Sequence, residues 1–210
     1  MIQAIPKPFT FEEFVAWYPE NGRYELIDGI VVETQPTGPH EDVTEFVSTA
    51  LTLEANRLKL PYKFPRRALV KAPSWNTGYL PDVLVINKEA LASEPLWQRE
   101  ATITQGASIR LVVEVVSTNW ETDYARKLED YEDMNIAEYW VVDHMALGGK
   151  KYIGFPKRPT ISVYQLVDGE YQVQRFRGSD PCGICEAARI ISPTFKELQL
   201  TAEQVFAAGG

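Results

Sequence analysis

The chain has 210 residues, of which 45% are hydrophobic, and a formal net charge of −8 at pH 7. This length suits one substantial domain rather than two large ones, and the apolar content excludes a disordered chain. Proteins that coat nucleic acid through phosphate contacts are usually basic, so the charge argues against that class. It leaves open an enzyme that holds nucleic acid locally and uses carboxylates to bind metal ions.

No run of about 18 apolar residues occurs, and the N-terminus lacks the pattern of a secretory signal, so no membrane segment and a cytoplasmic location are expected. The chain's two cysteines are Cys182 and Cys185. A single CxxC without a second pair is a weak zinc or redox motif, and the alternative is two ordinary thiols in a loop.

The N-terminal part of the chain predicts a helix followed by a hairpin. Residues 9–20 predict a short helix with Thr10 as its N-cap. The pair Asp28-Gly29 then predicts a tight turn that joins a strand at Tyr24–Ile27 to a strand at Ile30–Thr34.

A long helix and three strands come next. Apolar residues recur at helical spacing through 40–60, which predicts a helix of about five turns. Three strand-like runs follow, at 62–73, 79–87 and 109–117, and the stretch at 88–107 is predicted to be a loop with little regular structure.

The pattern changes from strand to helix after Ser117, where Thr118 and Glu121 match a capping box. The remaining predicted elements are a strand at 137–144, a hairpin at 161–176 around Asp168-Gly169, and a closing loop with a short helix at 193–206.

The order helix, three strands, helix, strand indicates an α/β fold with a mixed sheet, flanked by β-hairpins at both ends. No linker or internal repeat interrupts the chain. We therefore expect one domain over 1–210, with a core at about 24–144 and a C-terminal hairpin and helix at 151–206.

Two carboxylates stand where burial is expected. Glu114 lies inside the apolar run 111–116, and burying an unpaired carboxylate there costs several kcal/mol. Asp82 follows Pro81 at the start of a buried strand, a position that suits proline. If the two strands are neighbours, the carboxylates converge and repel unless a cation lies between them; oxygen ligands suit Mg²⁺ or Mn²⁺.

A lysine on the following helix could reach this site. Asp123, Lys127 and Tyr131 are four residues apart and share one helix face. Lys127 borders the apolar stripe of the helix, so its side chain should point toward the sheet and could stabilise charge that develops on a phosphate.

The segment YELIDG, then His40, then the segments PDVLVI, VVEVVS, D-x-x-x-K-x-x-x-Y and EYWVVD, in this order, resemble the PD-(D/E)xK nuclease superfamily. They more closely resemble a restriction-endonuclease-like family, formerly of unknown function, that is abundant in photosynthetic bacteria. The resemblance covers about Tyr24 to Asp143 and implies a restriction-endonuclease-like core. The superfamily's lysine, two residues after the glutamate, is Val116 here, as in the close family, and the resemblance implies that Lys127 substitutes for it. Asn135 stands where the family usually has glycine, which should alter only the end of the helix.

We therefore expect a Mg²⁺- or Mn²⁺-dependent endonuclease that hydrolyses DNA and forms a homodimer, since cutting two strands favours two sites. Asp82 and Glu114 would hold the metal, and Lys127 would assist the attacking water and the developing charge. The alternative is a binding or regulatory module that keeps the nuclease fold without turnover.

Each of these residues also has a purely structural explanation. Glu114 could pair with a buried Lys or Arg, and Asp82 could cap a strand end. The remaining candidates are accessory: Glu25 is either a surface charge or a further acid beside the metal, His40 caps its helix locally or acts in the site, and Asp123 and Tyr131 orient Lys127 or only solvate the helix. Asp143 and His144 are expected to be ordinary polar residues at a strand end.

Overall fold

A computed structural model of the chain describes residues 7–178 and 189–210. Cys182 and Cys185 lie outside these residues. The helices of the described part are α1 (Phe11–Trp17), α2 (Gly38–Arg57), α3 (Trp97–Glu100), α4 (Lys127–Asp133), α5 (Lys150–Ile153) and α6 (Ala202–Ala207). The strands are β1 (Tyr24–Ile27), β2 (Ile30–Glu33), β3 (Tyr62–Lys63), β4 (Leu69–Lys71), β5 (Gly78–Tyr79), β6 (Val83–Asn87), β7 (Thr102–Ile103), β8 (Ile109–Val115), β9 (Glu138–Asp143), β10 (Thr160–Val167) and β11 (Glu170–Phe176).

In the described ranges these strands form two sheets. The larger has six strands in the order β11-β10-β9-β8-β6-β3, and it is mixed because β8 and β9 are parallel while the other neighbours are antiparallel. The smaller has five strands in the order β2-β1-β5-β4-β7. The predicted α/β architecture with a mixed sheet and flanking hairpins is confirmed.

The two predicted hairpins form because their turn residues tolerate positive φ. Asp28 and Gly29 have φ of 50° and 75°, and Asp168 and Gly169 have φ of 52° and 88°. A two-residue turn of type I′ requires positive φ at both central positions, which suits an Asp-Gly pair. The predicted N-cap of α1 is also confirmed, since Thr10 and Glu13 form a complete capping box.

Two predicted strands are wrong in extent. The run 62–73 is split into β3 and β4, which belong to different sheets. The run 79–87 is split into β5 and β6, again in different sheets. The breaks fall at Pro65 and Pro81, because proline has no N–H to donate to a strand ladder. The chain therefore changes sheets once within each of these two runs, and the change within the second run carries Asp82.

The loop predicted at 88–107 contains short regular elements, namely 3₁₀ turns at Ala90–Ser93 and Gly106–Ser108 with α3 and β7 between them. Each of these elements spans four residues or fewer, which is too short for hydrophobic periodicity to predict a helix or strand.

The helix after β8 begins differently from the prediction. A π-helical turn, Thr122–Arg126, runs directly into α4, and Thr118 lies in the turn before the helix. The helix ends as expected. Asn135 has a φ of 57°, and the N–H groups of Asn135 and Ile136 donate to the carbonyls of Glu132 and Tyr131, which is a Schellman motif. Asparagine tolerates this φ, so it replaces the family's glycine at little cost.

The six-stranded sheet is covered on both faces. One face packs against α2 and α6, whose buried side chains form one apolar cluster with Val113, Val115 and Trp140. The other face packs against α4 and the smaller sheet and is rich in tyrosine: Tyr79, Tyr124, Tyr131, Tyr139 and Tyr164 are all buried. Among the residues described, no helix has the length and apolar character needed to cross a membrane.

Candidate active site

The end of β8 brings the two key carboxylates together. Strands β6 and β8 are antiparallel, and Val83 is opposite Val113, so this register places Asp82 opposite Glu114. Directly opposed residues of an antiparallel pair project to the same face of the sheet. The two carboxylates therefore converge, as the sequence predicts for neighbouring strands. Glu114 lies on the same face as Val112 and Val116, which is the tyrosine-rich face.

Lys127 lies at the point where three carboxylates converge. Its Nζ is 3.1 Å from Glu25 Oε1, 3.1 Å from Glu114 Oε2 and 3.5 Å from Asp123 Oδ1. The Lys127 side chain is 7% exposed, so these contacts are largely shielded from water. The predicted shared face of the helix is confirmed, because the Tyr131 hydroxyl donates to Glu114 Oε1 at 2.9 Å. Glu114 thus pairs with a buried lysine, as the structural alternative proposed.

Asp82 is held by three partners. Its Oδ2 accepts the Val115 N–H at 2.9 Å and lies 3.2 Å from His40 Nε2, and its Oδ1 accepts Arg23 Nη2 at 3.2 Å. His40 Nε2 is also 2.9 Å from the Val115 carbonyl oxygen. The Val115 N–H lies beyond Val83, where β6 begins, and so has no partner on that strand; Asp82 accepts it and is therefore also a strand-end cap. His40 is a neighbour of Asp82 rather than only a local cap of α2.

Glu25 is part of the site and not a surface charge. It is 4% exposed, and its Oε1 accepts the Leu80 N–H at 3.0 Å in addition to contacting Lys127. The two faces of β1 are both covered. Leu26 packs against α1 on one face, and Glu25 points to the opposite face, toward the site. Alternation along the strand predicts opposite faces for these two residues but not that both faces are covered.

Arg23 is a site residue that the sequence analysis did not identify. It precedes Glu25 by two residues on the same hairpin, so alternation places both on one side of the strand. The spacing of two residues therefore predicts that Arg23 lies in the site if Glu25 does. Arg23 supplies the second cation of the cluster through its contact with Asp82.

The helix that carries Lys127 is held by contacts with the smaller sheet and the turn that follows β4. Asp130 is buried and accepts hydrogen bonds from the hydroxyls of Ser74 and Tyr79. The Tyr79 ring lies against Lys127, with Nζ 5.4 Å from the ring centroid. These contacts restrict rotation of the helix, so Lys127 is held at the carboxylates by the smaller sheet as well as by its own ion pairs.

The electrostatics of the cluster follow from burial and from an excess of acids. Burial raises the pKa of the Glu114 carboxyl well above its ordinary value; the Lys127 ammonium opposes this shift, and the neighbouring carboxylates add to it. Burial likewise raises the pKa of Asp123 to about 7. Burial works against the charged form of Lys127, but the surrounding carboxylates outweigh it and its pKa is raised well above the ordinary value.

Asp82 and His40 shift in the direction of a charged pair. Burial raises the pKa of the Asp82 carboxyl, but the hydrogen bond from His40 and its charge outweigh burial, so the pKa is lowered. Burial lowers the pKa of His40, but the hydrogen bond to Asp82, the Asp82 charge, the Val115 carbonyl and the Glu41 charge together outweigh burial, and the pKa is raised. Asp82 is therefore more readily ionised than Glu114 and Asp123, whose pKa values burial raises.

The donor set fits a hard divalent cation. Four carboxylates, on Glu25, Asp82, Glu114 and Asp123, face the cations Lys127 and Arg23 together with His40. The acids therefore outnumber the permanently charged side chains. Mg²⁺ commonly takes only one or two protein carboxylates and keeps several waters. Each carboxylate oxygen of Asp82 and Glu114 has a protein partner, but ionised carboxylates offer about four lone-pair sites, so further coordination is open.

A ready-made cage of three ligands is absent from the described residues. The reason is geometric, because the Lys127 ammonium occupies the point where Glu25, Glu114 and Asp123 meet. Of the four acids, Asp82 is the one that makes no ion pair with this ammonium among the described residues. A cleft of about 560 Å³ is lined by Asp82, Glu114 and Lys127, among others.

Three further residues from the sequence analysis are Asp143 and His144 at the end of β9, and Val116 after β8. Asp143 is fully buried and accepts the N–H groups of Leu147 and Gly148, so it closes a turn at the end of β9. His144 lines the cleft without a hydrogen-bond partner among the described residues, and burial lowers its pKa. Asp143 agrees with an ordinary strand-end residue, whereas His144 faces the cleft and has no hydrogen-bonding role among the described residues. Val116 is buried and lines the cleft in the place where the wider superfamily has lysine.

The sheet order and the acid–lysine cluster define a restriction-endonuclease-like protein. The chain belongs to the Uma2 family, described as "Putative restriction endonuclease", whose family model matches residues 11–203. The fold is also similar to a crystal structure described as "a putative nuclease belonging to DUF820" from Anabaena variabilis ATCC 29413, with a TM-score of 0.71 and 15% identity over 97% of this chain and 100% of that chain. No curated protein matches the chain significantly.

Proposed function

We propose that the protein is an endonuclease that hydrolyses DNA phosphodiester bonds and uses Mg²⁺ or Mn²⁺. The observation that carries the proposal is the convergence of Asp82 and Glu114 in one cleft, with Lys127 3.1 Å from Glu114. The family supports a nuclease. The metal and the DNA substrate are inferred from the carboxylate donor set and from the cation that accompanies it.

Asp82 and Glu114 would hold the metal, with Glu25 as an accessory acid. A bound divalent cation would polarise the scissile phosphate and lower the pKa of a bound water. The chain prepares Asp82 for this role, because Arg23, His40 and the Val115 N–H fix its carboxylate. Tyr131 fixes Glu114 in the same way from the helix.

Lys127 would donate to a non-bridging phosphate oxygen and stabilise the negative charge that develops there. Three carboxylates keep it protonated, so it acts as a cation and hydrogen-bond donor rather than as a base. Asp123 and Glu25 are positioning residues, since both contact the ammonium and leave its approach from the cleft open.

Cleavage of supercoiled plasmid tests the proposal. The purified protein should nick or linearise plasmid with Mg²⁺ or Mn²⁺ and stop when a chelator is added. Glu114→Gln should remove the activity, whereas Glu129→Gln should keep it, because Glu129 is an exposed acid on the same helix as Lys127. Equal cleavage by both variants would point to a contaminating nuclease and contradict the proposal.

The alternative of an inactive binding module is decided by the same assay. A folded parent protein that binds DNA but never cuts it, at any divalent metal tested, would favour that module. We further propose that 1–210 form one cytoplasmic domain that assembles as a homodimer. Light scattering that shows a strict monomer at micromolar concentration would exclude the dimer.

A further inference from the structure

Basic residues are concentrated in one short segment of this acidic chain. Between Arg57 and Lys71 the sequence contains six Lys or Arg and no Asp or Glu, although the whole chain has a net charge of −8. The segment follows α2 and includes β3, the edge strand of the six-stranded sheet. Clustering of this kind gives a local positive surface that the net charge conceals.

The segment lines one side of a groove of about 490 Å³, which we call the basic groove. Lys63, Arg66 and Lys88 line it and are exposed, and none of the three makes an ion pair within the described residues. By contrast, Arg57 is held by Glu54 and Glu197 outside the groove. The opposite wall is the second half of α2, which contributes the small polar side chains of Ser48, Thr49, Thr52 and Asn56. Of the residues that the structure describes, no acidic side chain lines the groove.

Two elements connect the candidate active site with the basic groove. α2 begins beside Asp82 with His40, and Thr52 in the groove is twelve residues further on, or about 18 Å along the helix. β6 follows Asp82, and Lys88 comes six residues later, or about 20 Å along the extended chain. The two estimates agree, so the groove lies roughly 20 Å from the candidate active site.

We propose that the basic groove binds the phosphate backbone of duplex DNA about five to six base pairs from the bond that is cut, given a spacing of about 3.4 Å per phosphate along one strand. This inference rests on the proposed nuclease function. The occupant is DNA because three exposed cations that make no ion pair within the described residues complement a polyanion. The small hydroxyl and amide side chains of Ser48, Thr49 and Asn56 on α2 can also donate to phosphate oxygens. Contacts of this kind position the substrate without reading its sequence.

The test is DNA binding by the Glu114→Gln protein in chelator, so that no cleavage occurs. Fluorescence anisotropy with a labelled duplex of about 20 base pairs is measured between about 50 and 200 mM salt. In this background, the triple variant Lys63→Gln, Arg66→Gln and Lys88→Gln should bind more weakly, with a salt slope reduced by roughly two to three, since each lost phosphate contact removes about 0.9. Arg66→Gln is also measured alone and should lower the slope by about 0.9. Its matched control is Arg175→Gln, because Arg175 is exposed on β11 at the opposite edge of the same sheet.

A second measurement uses cleavage by the protein with Glu114 intact. On a duplex too short to reach the groove, the triple variant should cut as fast as the parent. On longer duplexes, the parent should cut faster than the triple variant. An unchanged salt slope in the triple variant, or an equal loss in Arg175→Gln, would overturn the groove assignment, as would competition by polyglutamate as effective as that by DNA. If no protein cuts DNA but the slope falls as stated, the proposed nuclease function fails while the groove remains.

Discussion

Replacing Glu114 with glutamine tests why a carboxylate is buried at this place. The substitution nearly conserves shape. The amide oxygen can accept from Lys127, and the amide NH₂ can donate to the Tyr131 hydroxyl oxygen, which can act as an acceptor. Lys127 keeps Glu25 and Asp123 as partners. The main change is therefore the removal of one negative charge from a cluster in which acids outnumber cations.

The expected effect depends on pH. The pKa of Glu114 is raised in the folded protein, mainly by burial, so its favourable contribution is complete below the unfolded value of about 4.3 and is lost as pH rises through the folded pKa. Glutamine has no such loss. The variant should match the parent near pH 4 to 5 and gain stability above that range, reaching about 1 to 3 kcal/mol at pH 8, the scale for neutralising a buried ionic group at constant shape.

Thermal melts of parent and variant in chelator, at about pH 5 and pH 8, measure the difference; 1 kcal/mol corresponds to roughly 2–4 °C for a chain of this size. Glu129→Gln is the control and should stay within about 0.5 kcal/mol of the parent at both pH values. A Glu114→Gln protein that melts clearly below the parent at pH 8 would refute the reasoning. It would mean that the ion pair with Lys127 stabilises the fold more than the surrounding acids oppose it.

Three other results are expected. Asp82→Ala should abolish Mn²⁺ binding in titration calorimetry while the protein stays folded, and unchanged binding would remove Asp82 from the metal site. Lys127→Ala should keep Mn²⁺ binding but lose roughly 10²- to 10³-fold in the rate of single-turnover cleavage. Adding Val116→Lys to that variant should restore part of the lost rate, limited by about 1–3 kcal/mol of overpacking at position 116. A Lys127→Ala protein that cuts as fast as the parent would contradict the substitution of Lys127 for a lysine on the strand. The chain's two histidines should titrate by NMR on opposite sides of the ordinary pKa, His40 above it and His144 below it, and Asp82→Asn should bring His40 back down; a His40 pKa unmoved by that substitution would show that Asp82 does not cause the shift.

The sequence predicts the acids and the lysine because each breaks a local pattern. Glu114 interrupts an apolar run, Asp82 follows a proline at a strand start, and Lys127 shares a helix face with Tyr131. Such signals depend only on residues nearby in the chain. Glu25 gave no comparable signal, since an acid on an alternating strand is typical of a solvated face. Its burial depends on a second sheet that covers β1 from the other side.

The wrong strand extents have the same origin. Hydrophobic periodicity shows that 62–73 and 79–87 are extended, but it does not show that the chain changes sheets within each run. That change is tertiary, and the only local sign of it is a proline in each run, at Pro65 and Pro81. The second change matters for function, because it places Asp82 in the connection between sheets, where its carboxylate can cap β8 and still face the cleft.

The position of Lys127 explains how the site can do without a lysine on β8. Val116 lies on the same face of the strand as Glu114, so a lysine there would approach the carboxylate along the sheet. Lys127 reaches Glu114 from the opposite direction, across the space between sheet and helix, and is anchored there by Glu25 on the smaller sheet. The cost of that arrangement is three buried acids around one ammonium, more than structural pairing requires. A purely structural lysine would need one carboxylate, and the surplus of acids supports the proposal that a further cation shares the cluster.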